Sequence, residues 1–155
     1  MTLLFLILVI IVEILQLSVF SPILGNAYTI PSITFLLILF LSYIIREKAL
    51  LLAFLAGLFY DAVVNFLGFI SLLNVVFTYI FLILNNVMFV KNPKVEVFLI
   101  MPVILLIRKL IIFLVVNAKF PLNVDLEKFV SVLFIDFLFL MVFYKVFNKY
   151  LNEKA

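Results

Sequence analysis

The sequence predicts an all-α polytopic membrane protein with six transmembrane helices in a single domain. Composition, the spacing of helix breakers and the placement of Lys and Arg carry that prediction. Of the 155 residues, 69% are hydrophobic and only 12% charged, with a mean hydropathy of +1.47. Soluble domains run at about 45–50% apolar and about 25% charged, and a chain this short has too little interior to hide the excess. Lipid is therefore the solvent, and breakers should recur about every 20 residues, the length that crosses the hydrocarbon core.

Read in order, the first span covers about residues 3–20 and ends at Ser21-Pro22. Its start has no basic segment and Glu13 interrupts its apolar run, so it is read as a retained span rather than a removed signal peptide. A short polar link through Gly25-Asn26 leads to Pro31, which suits the opening of a helix, and the second span covers 31–45 up to Arg46-Glu47-Lys48. The third is 49–64. Asn65 to Gly68 make a tight turn into the fourth, 69–89. Lys91-Asn92-Pro93-Lys94 is a loop, and the fifth span is 97–116, with Pro102 expected to disturb it by freeing a carbonyl one turn earlier. The polar stretch Asn117–Lys128, with Pro121, Asn123, Asp125 and Glu127, separates it from the sixth span, 129–147. With both termini in the cytoplasm, Arg46, Lys48, Lys91, Lys94, Lys145, Lys149 and Lys154 fall inside and only Lys119 and Lys128 outside, as the positive-inside rule requires.

The same composition narrows the chemistry. The chain has no His and no Cys, which removes the commonest general base and metal ligand, the thiol nucleophile and the disulfide. Its net charge of +3 is scattered rather than clustered on a basic face, so it gives no nucleic-acid footprint. No HExxH, GxSxG, Walker-type or dinucleotide-binding glycine motif occurs. Asp125 and Glu127 read as a solvated loop. The expectation is a protein without enzymatic activity or cofactor.

Five ionisable residues fall inside the spans: Glu13, Asp61, Arg108, Lys109 and Asp136. An Asp, Lys or Arg at a helix centre costs on the order of 2.5–3.5 kcal/mol on insertion scales, so each should face protein or water. At a rise of about 1.5 Å per residue, Glu13, Asp61, Arg108 and Asp136 all lie about 15–20 Å in from the cytoplasmic side. Common depth suggests a buried charge cluster in which Arg108 or Lys109 pairs with Asp61, Glu13 or Asp136. Such a cluster serves either as a clamp on helix order or as a proton or ion path.

Two polar rows accompany it. Ala49, Ala53, Gly57, Asp61 and Asn65 recur every fourth residue, one inclined ridge of small and polar side chains on the third span. Small residues at that spacing let helix backbones approach. Ser71, Asn74, Thr78 and Asn85 make a stripe on the fourth span, able to hydrogen-bond to a neighbouring helix.

The segment AFLAGLFYDAVVNFLGFISLLNVVFTYI, residues 53–80, carries a Gly-Leu-x-x-Asp element followed by Leu-Gly before an apolar span. With Pro31 opening the preceding span, this resembles the MreD family of rod shape-determining membrane proteins. One departure is Ser32, since many members have an acid after that proline. The resemblance implies a fold similar to that of the S components of energy-coupling-factor vitamin transporters. It also implies a non-enzymatic scaffold in the bacterial cytoplasmic membrane that tunes lateral-wall peptidoglycan synthesis. Its implied partners are MreC, and with it MreB and the RodA–transpeptidase synthase. Ala53, Gly57, Asp61 and Gly68 are the motif and helix-packing positions. The alternative is an S component itself, against which stands a first span, LLFLILVIIVEILQLSV, with no Gly or Ala for docking to a coupling subunit.

Overall fold

A computed structural model describes residues 2–24, 30–87, 93–119 and 126–152. Gly25, Asn26, Lys91, Asn92, Pro121, Asn123, Asp125 and Lys154 lie outside that description. Six helices account for nearly all of the rest: α1 (Thr2–Leu24), α2 (Ile33–Ile45), α3 (Lys48–Val64), α4 (Phe69–Val87), α5 and α6 (Leu126–Asn152). α5 is continuous from Pro93–Val95 through a π-helical turn, Glu96–Ile100, into Met101–Lys119. The described residues contain no strand. α1, α4, α5 and α6 are long and apolar enough to cross a membrane.

The boundaries differ from the sequence reading mainly at the fifth and sixth spans, which run past their apolar segments. Asn117 and Lys119 form the last turn of α5, and Glu127 and Lys128 the first turn of α6, rather than a loop. Polar residues are good helix formers at water-exposed ends, where hydropathy falls but propensity does not. The irregularity expected at Pro102 is the π-helical turn just ahead of it. Pro102 lacks the N–H that would bond the carbonyl of Phe98, which lies inside that turn.

α2 is the hub. Its 13 residues span about 20 Å, the shortest of the six, and every residue from Ile33 to Tyr43 is buried. A helix apolar all round is one surrounded by protein. Leu36, Leu39, Phe40 and Tyr43 belong to the large core shared with α4, α5 and α6. Leu37, Ile38 and Leu41 turn to a second cluster with Val9, Leu52, Ala53 and Ala56 of α1 and α3. Phe40 holds α6 by stacking on Phe147 at 5.4 Å and meeting Phe143 edge-on at 5.9 Å. α1 is the opposite case, with Leu3, Leu4, Ile7, Leu8, Ile11, Ile14 and Leu15 facing outward.

α3 and α4 form the tightest pair. The ridge on α3 is buried at Ala49, Ala53, Gly57 and Asp61, and ends at the exposed Asn65. A Cβ on Gly57 would collide with Ser71 Cα and sit 2.7 Å from Ser71 N, so two backbones touch there. The turn between them holds Asn65, Leu67 and Gly68 at positive φ (60°, 51° and 85°). Nothing lies within 4 Å of a Cβ at Gly68, whose role is conformational.

Gly57→Ala should therefore lower the unfolding free energy by about 1–3 kcal/mol, because the obstruction is backbone and α4 must move. Gly68→Ala meets only the left-handed torsion penalty of about 1–2 kcal/mol. Thermal unfolding in detergent should show the larger drop for Gly57→Ala, and the reverse order would mean the two helices can separate freely.

Candidate functional site

Of the three acids the sequence offered as ion-pair partners, Asp136 is the one paired, with Lys109, and Asp61 has a different use. Among the described residues it makes no ion pair; its carboxylate accepts hydrogen bonds from Ile70 N at 3.0 Å and Ser71 N at 2.8 Å. These are orphan donors in the first turn of α4, which no intrahelical carbonyl can reach. The Asp61 carbonyl meanwhile accepts from the N–H groups of Asn65 and Phe66, closing α3. A charged acceptor at a helix N-terminus is favourable by hydrogen bonding and by the helix dipole alike. Capping needs a carboxylate one helix-end away in sequence, and depth alone could not distinguish that from ion pairing.

The other four intramembrane charges come together beside Asp61, which acts electrostatically on Arg108. Glu13, Arg108 and Lys109 line a cavity of about 40 Å³, and Asp136 pairs with Lys109. Gln16, Ser32, Thr34, Tyr60 and Asn74 supply further polar walls, with Phe35, Phe113 and Phe129 among the apolar ones. The lining comes from the second half of α1, the start of α2, the end of α3, the start of α4, the second half of α5 and the start of α6. The cavity thus sits toward the C-terminal ends of α1, α3 and α5 and the N-terminal ends of α2, α4 and α6.

Asp136, Gln16 and Arg108 each have identifiable partners there. Asp136 Oδ1 accepts from the N–H of Ser32 at 2.6 Å, at the N-cap of α2, where no intrahelical carbonyl can reach. Gln16 Oε1 accepts both Thr34 N at 2.9 Å and the Thr34 hydroxyl at 3.1 Å, a cap on α2 from α1. Arg108 donates from Nε to Asn74 Oδ1 at 3.0 Å and from an Nη to Ser32 Oγ at 3.1 Å. Its Cζ also lies 4.6 Å from the Phe35 ring centroid. Among the described residues no carboxylate lies within ion-pair distance of Arg108. Among the described residues no group of acidic side chains converges in a way that would hold a metal ion.

The stripe on α4 divides by function. Ser71 donates through its hydroxyl to Phe54 O of α3 at 3.2 Å, and Asn74 engages α5 through Arg108. Thr78 is fully buried and its hydroxyl has no hydrogen-bond partner among the described residues, while Asn85 is only half-buried. Ser32 was noted in the sequence only as a departure from the family pattern, and Thr34 and Tyr60 were not singled out from it. Neither was Glu96, which is buried and accepts a hydrogen bond from the Tyr43 hydroxyl at 2.7 Å at the opposite end of the bundle. Glu96 follows the Lys-Asn-Pro-Lys loop so closely that it reads as loop. Ser32 beside Pro31 had a signal, since a polar residue at a helix start is a capping position.

An uncharacterized protein of Aquifex aeolicus (strain VF5) is 76% identical over 155 residues, covering all of both chains. No family model and no solved structure matches the chain.

Removing one member of the Lys109–Asp136 pair should be far worse than removing both. Lys109→Met leaves a buried carboxylate unpaired and should cost about 3–5 kcal/mol, whereas Lys109→Met with Asp136→Leu should recover most of that loss. Chemical denaturation in mixed micelles measures both. Asp61→Ala should cost about 1–2 kcal/mol by uncovering the α4 cap, with Asp61→Asn milder because one acceptor oxygen remains.

Proposed function

This chain belongs to the same family as that Aquifex aeolicus protein, and we propose that it is a non-enzymatic membrane scaffold of the MreD kind, which binds MreC and tunes lateral-wall peptidoglycan synthesis. In this reading all six helices cross the bacterial cytoplasmic membrane, in an arrangement similar to that of transporter S components. Both termini are then cytoplasmic, with Arg46, Lys48, Lys94, Lys145 and Lys149 on that side and Lys119 and Lys128 opposite.

The observation that carries the proposal is that the residues of the resemblance act as one device. Gly57 admits the α4 backbone, Asp61 four residues later caps α4, and Gly68 supplies the positive φ that turns the chain between them. A Gly-Leu-x-x-Asp element ahead of Leu-Gly is therefore a packing motif rather than a catalytic one. The departure at Ser32 also finds an account. Asp136 places a carboxylate on Ser32 N from another helix, and Arg108 reaches the Ser32 hydroxyl where an acid would pair with it.

The spending of charge on structure further supports a scaffold. Lys109 is held by Asp136, Arg108 by Asn74 and Ser32, and Asp61 by backbone N–H groups. A vitamin site needs a pocket in the range of about 300–1,000 Å³, which favours the scaffold over the S component given a cavity of about 40 Å³.

Co-expression with MreC from the same organism should yield a complex that survives mild detergent. Gly57→Leu, which forces α3 and α4 apart, should lower its yield at least tenfold relative to an exposed control such as Leu3→Ala. A stoichiometric vitamin retained by the purified protein, with no MreC complex, would reverse the assignment in favour of the transporter subunit.

A further inference from the structure

The cavity treats its charges in two ways. Lys109 and Asp136 are in direct contact, whereas Glu13 and Arg108 both line the cavity, interact electrostatically and yet make no ion pair. Both are buried, Glu13 at 4% exposure and Arg108 at 7%. Arg108 commits only two of its five N–H donors to Asn74 and Ser32, both neutral acceptors. Glu13 lies against the Thr34 hydroxyl, but that group has one proton and already faces Gln16 Oε1 at 3.1 Å. Glu13, beside the Thr34 hydroxyl, and Arg108, bonded to two neutral acceptors with Asp136 and Asp61 acting on it from farther off, share one partly open cavity. An opened ion pair at low dielectric is costly unless what lies between satisfies both ends.

The volume limits what that is. A water needs about 10–15 Å³, so the cavity holds about three waters' worth of space, and because it is partly open a longer group can seat its charged atoms there and extend beyond it. Asn74 uses its carbonyl oxygen on Arg108 and keeps its amide protons, and Ser32 uses its oxygen and keeps its hydroxyl proton, so both can donate to the anion that Arg108 attracts. Ile112, Phe113, Phe129 and Val132 line the remainder and suit a short methylene link.

We propose that this cavity binds a small zwitterion, its ammonium held by Glu13 and its carboxylate or phosphate held by Arg108, Asn74 and Ser32. The chemistry is shared by a phosphoethanolamine lipid headgroup and by a free amino acid such as glycine. The inference does not depend on the identity of any protein partner.

The test uses the full chain, delipidated in detergent. Native mass spectrometry with equimolar phosphatidylethanolamine and phosphatidylglycerol reads the lipid source, and calorimetry with glycine, O-phosphoethanolamine and inorganic phosphate reads the soluble one. The expected result is at least a tenfold preference for phosphatidylethanolamine, or soluble zwitterion binding that phosphate does not match. Glu13→Gln and Arg108→Gln should each weaken it at least tenfold. Phe129→Trp, which narrows the cavity and keeps both charges, should also weaken binding while circular dichroism stays unchanged, so the test survives if a charge variant fails to fold. Equal retention of the two lipids with no soluble zwitterion bound, or phosphate binding as well as the zwitterions, overturns the proposal.

Discussion

The bond from the Asp61 carboxylate to the first turn of α4 is the constraint on which the rest depends. It joins the end of one helix to the start of the next and uses both carboxylate oxygens to do so. In lipid the first N–H groups of a helix have no water to turn to, and each unsatisfied group costs several kcal/mol. Asp61 reaches them only because Gly57, one turn earlier, lets the α4 backbone lie against α3. The α3–α4 pair then presents Asn74 toward Arg108 of α5, and through Arg108 toward Ser32 at the start of α2.

The same logic recurs around the buried α2. Its N-terminal groups are satisfied by Asp136 from α6 and Gln16 from α1, both at long range in sequence. A short helix buried on all sides cannot rely on solvent at either end. Its neighbours must bring acceptors to it, and that is what places polar residues in the middle of α1 and α6. The cavity is the space left where these acceptors, the Lys109–Asp136 pair and Arg108 converge. Charge in this protein is thus mostly an instrument of helix pairing, with Glu13 and Arg108 the pair left apart.

Much of this was legible in the sequence. Helix number, the third-to-fourth turn and the apolar outer face of α1 follow from hydropathy and breakers, which respond directly to the solvent. That Glu13, Arg108, Lys109 and Asp136 would gather follows from the cost of charge in hydrocarbon. The partners were not legible. Asp61 was one of three acids open to an ion pair and instead binds backbone, a choice the sequence could not show because backbone donors carry no mark in it. Asn85 shares the stripe of Ser71 and Asn74, but helical spacing says which residues share a face and not how far along that face a neighbour extends.

What the sequence by itself determined is the medium and the list of helices: composition dictates lipid, and lipid allows only segments that satisfy their own backbone. The ridge Ala49, Ala53, Gly57 and the acid that follows it were also set locally, by one helical period. Which helix is central, which acceptor serves which helix start, and that one cation meets its carboxylate while another stands apart were decided by tertiary packing. The physical reason is reach. A residue's own neighbours fix its helix and its face, but a hydrogen bond between Ser32 and Asp136 exists only after α2 has been enclosed by helices far from it in the chain.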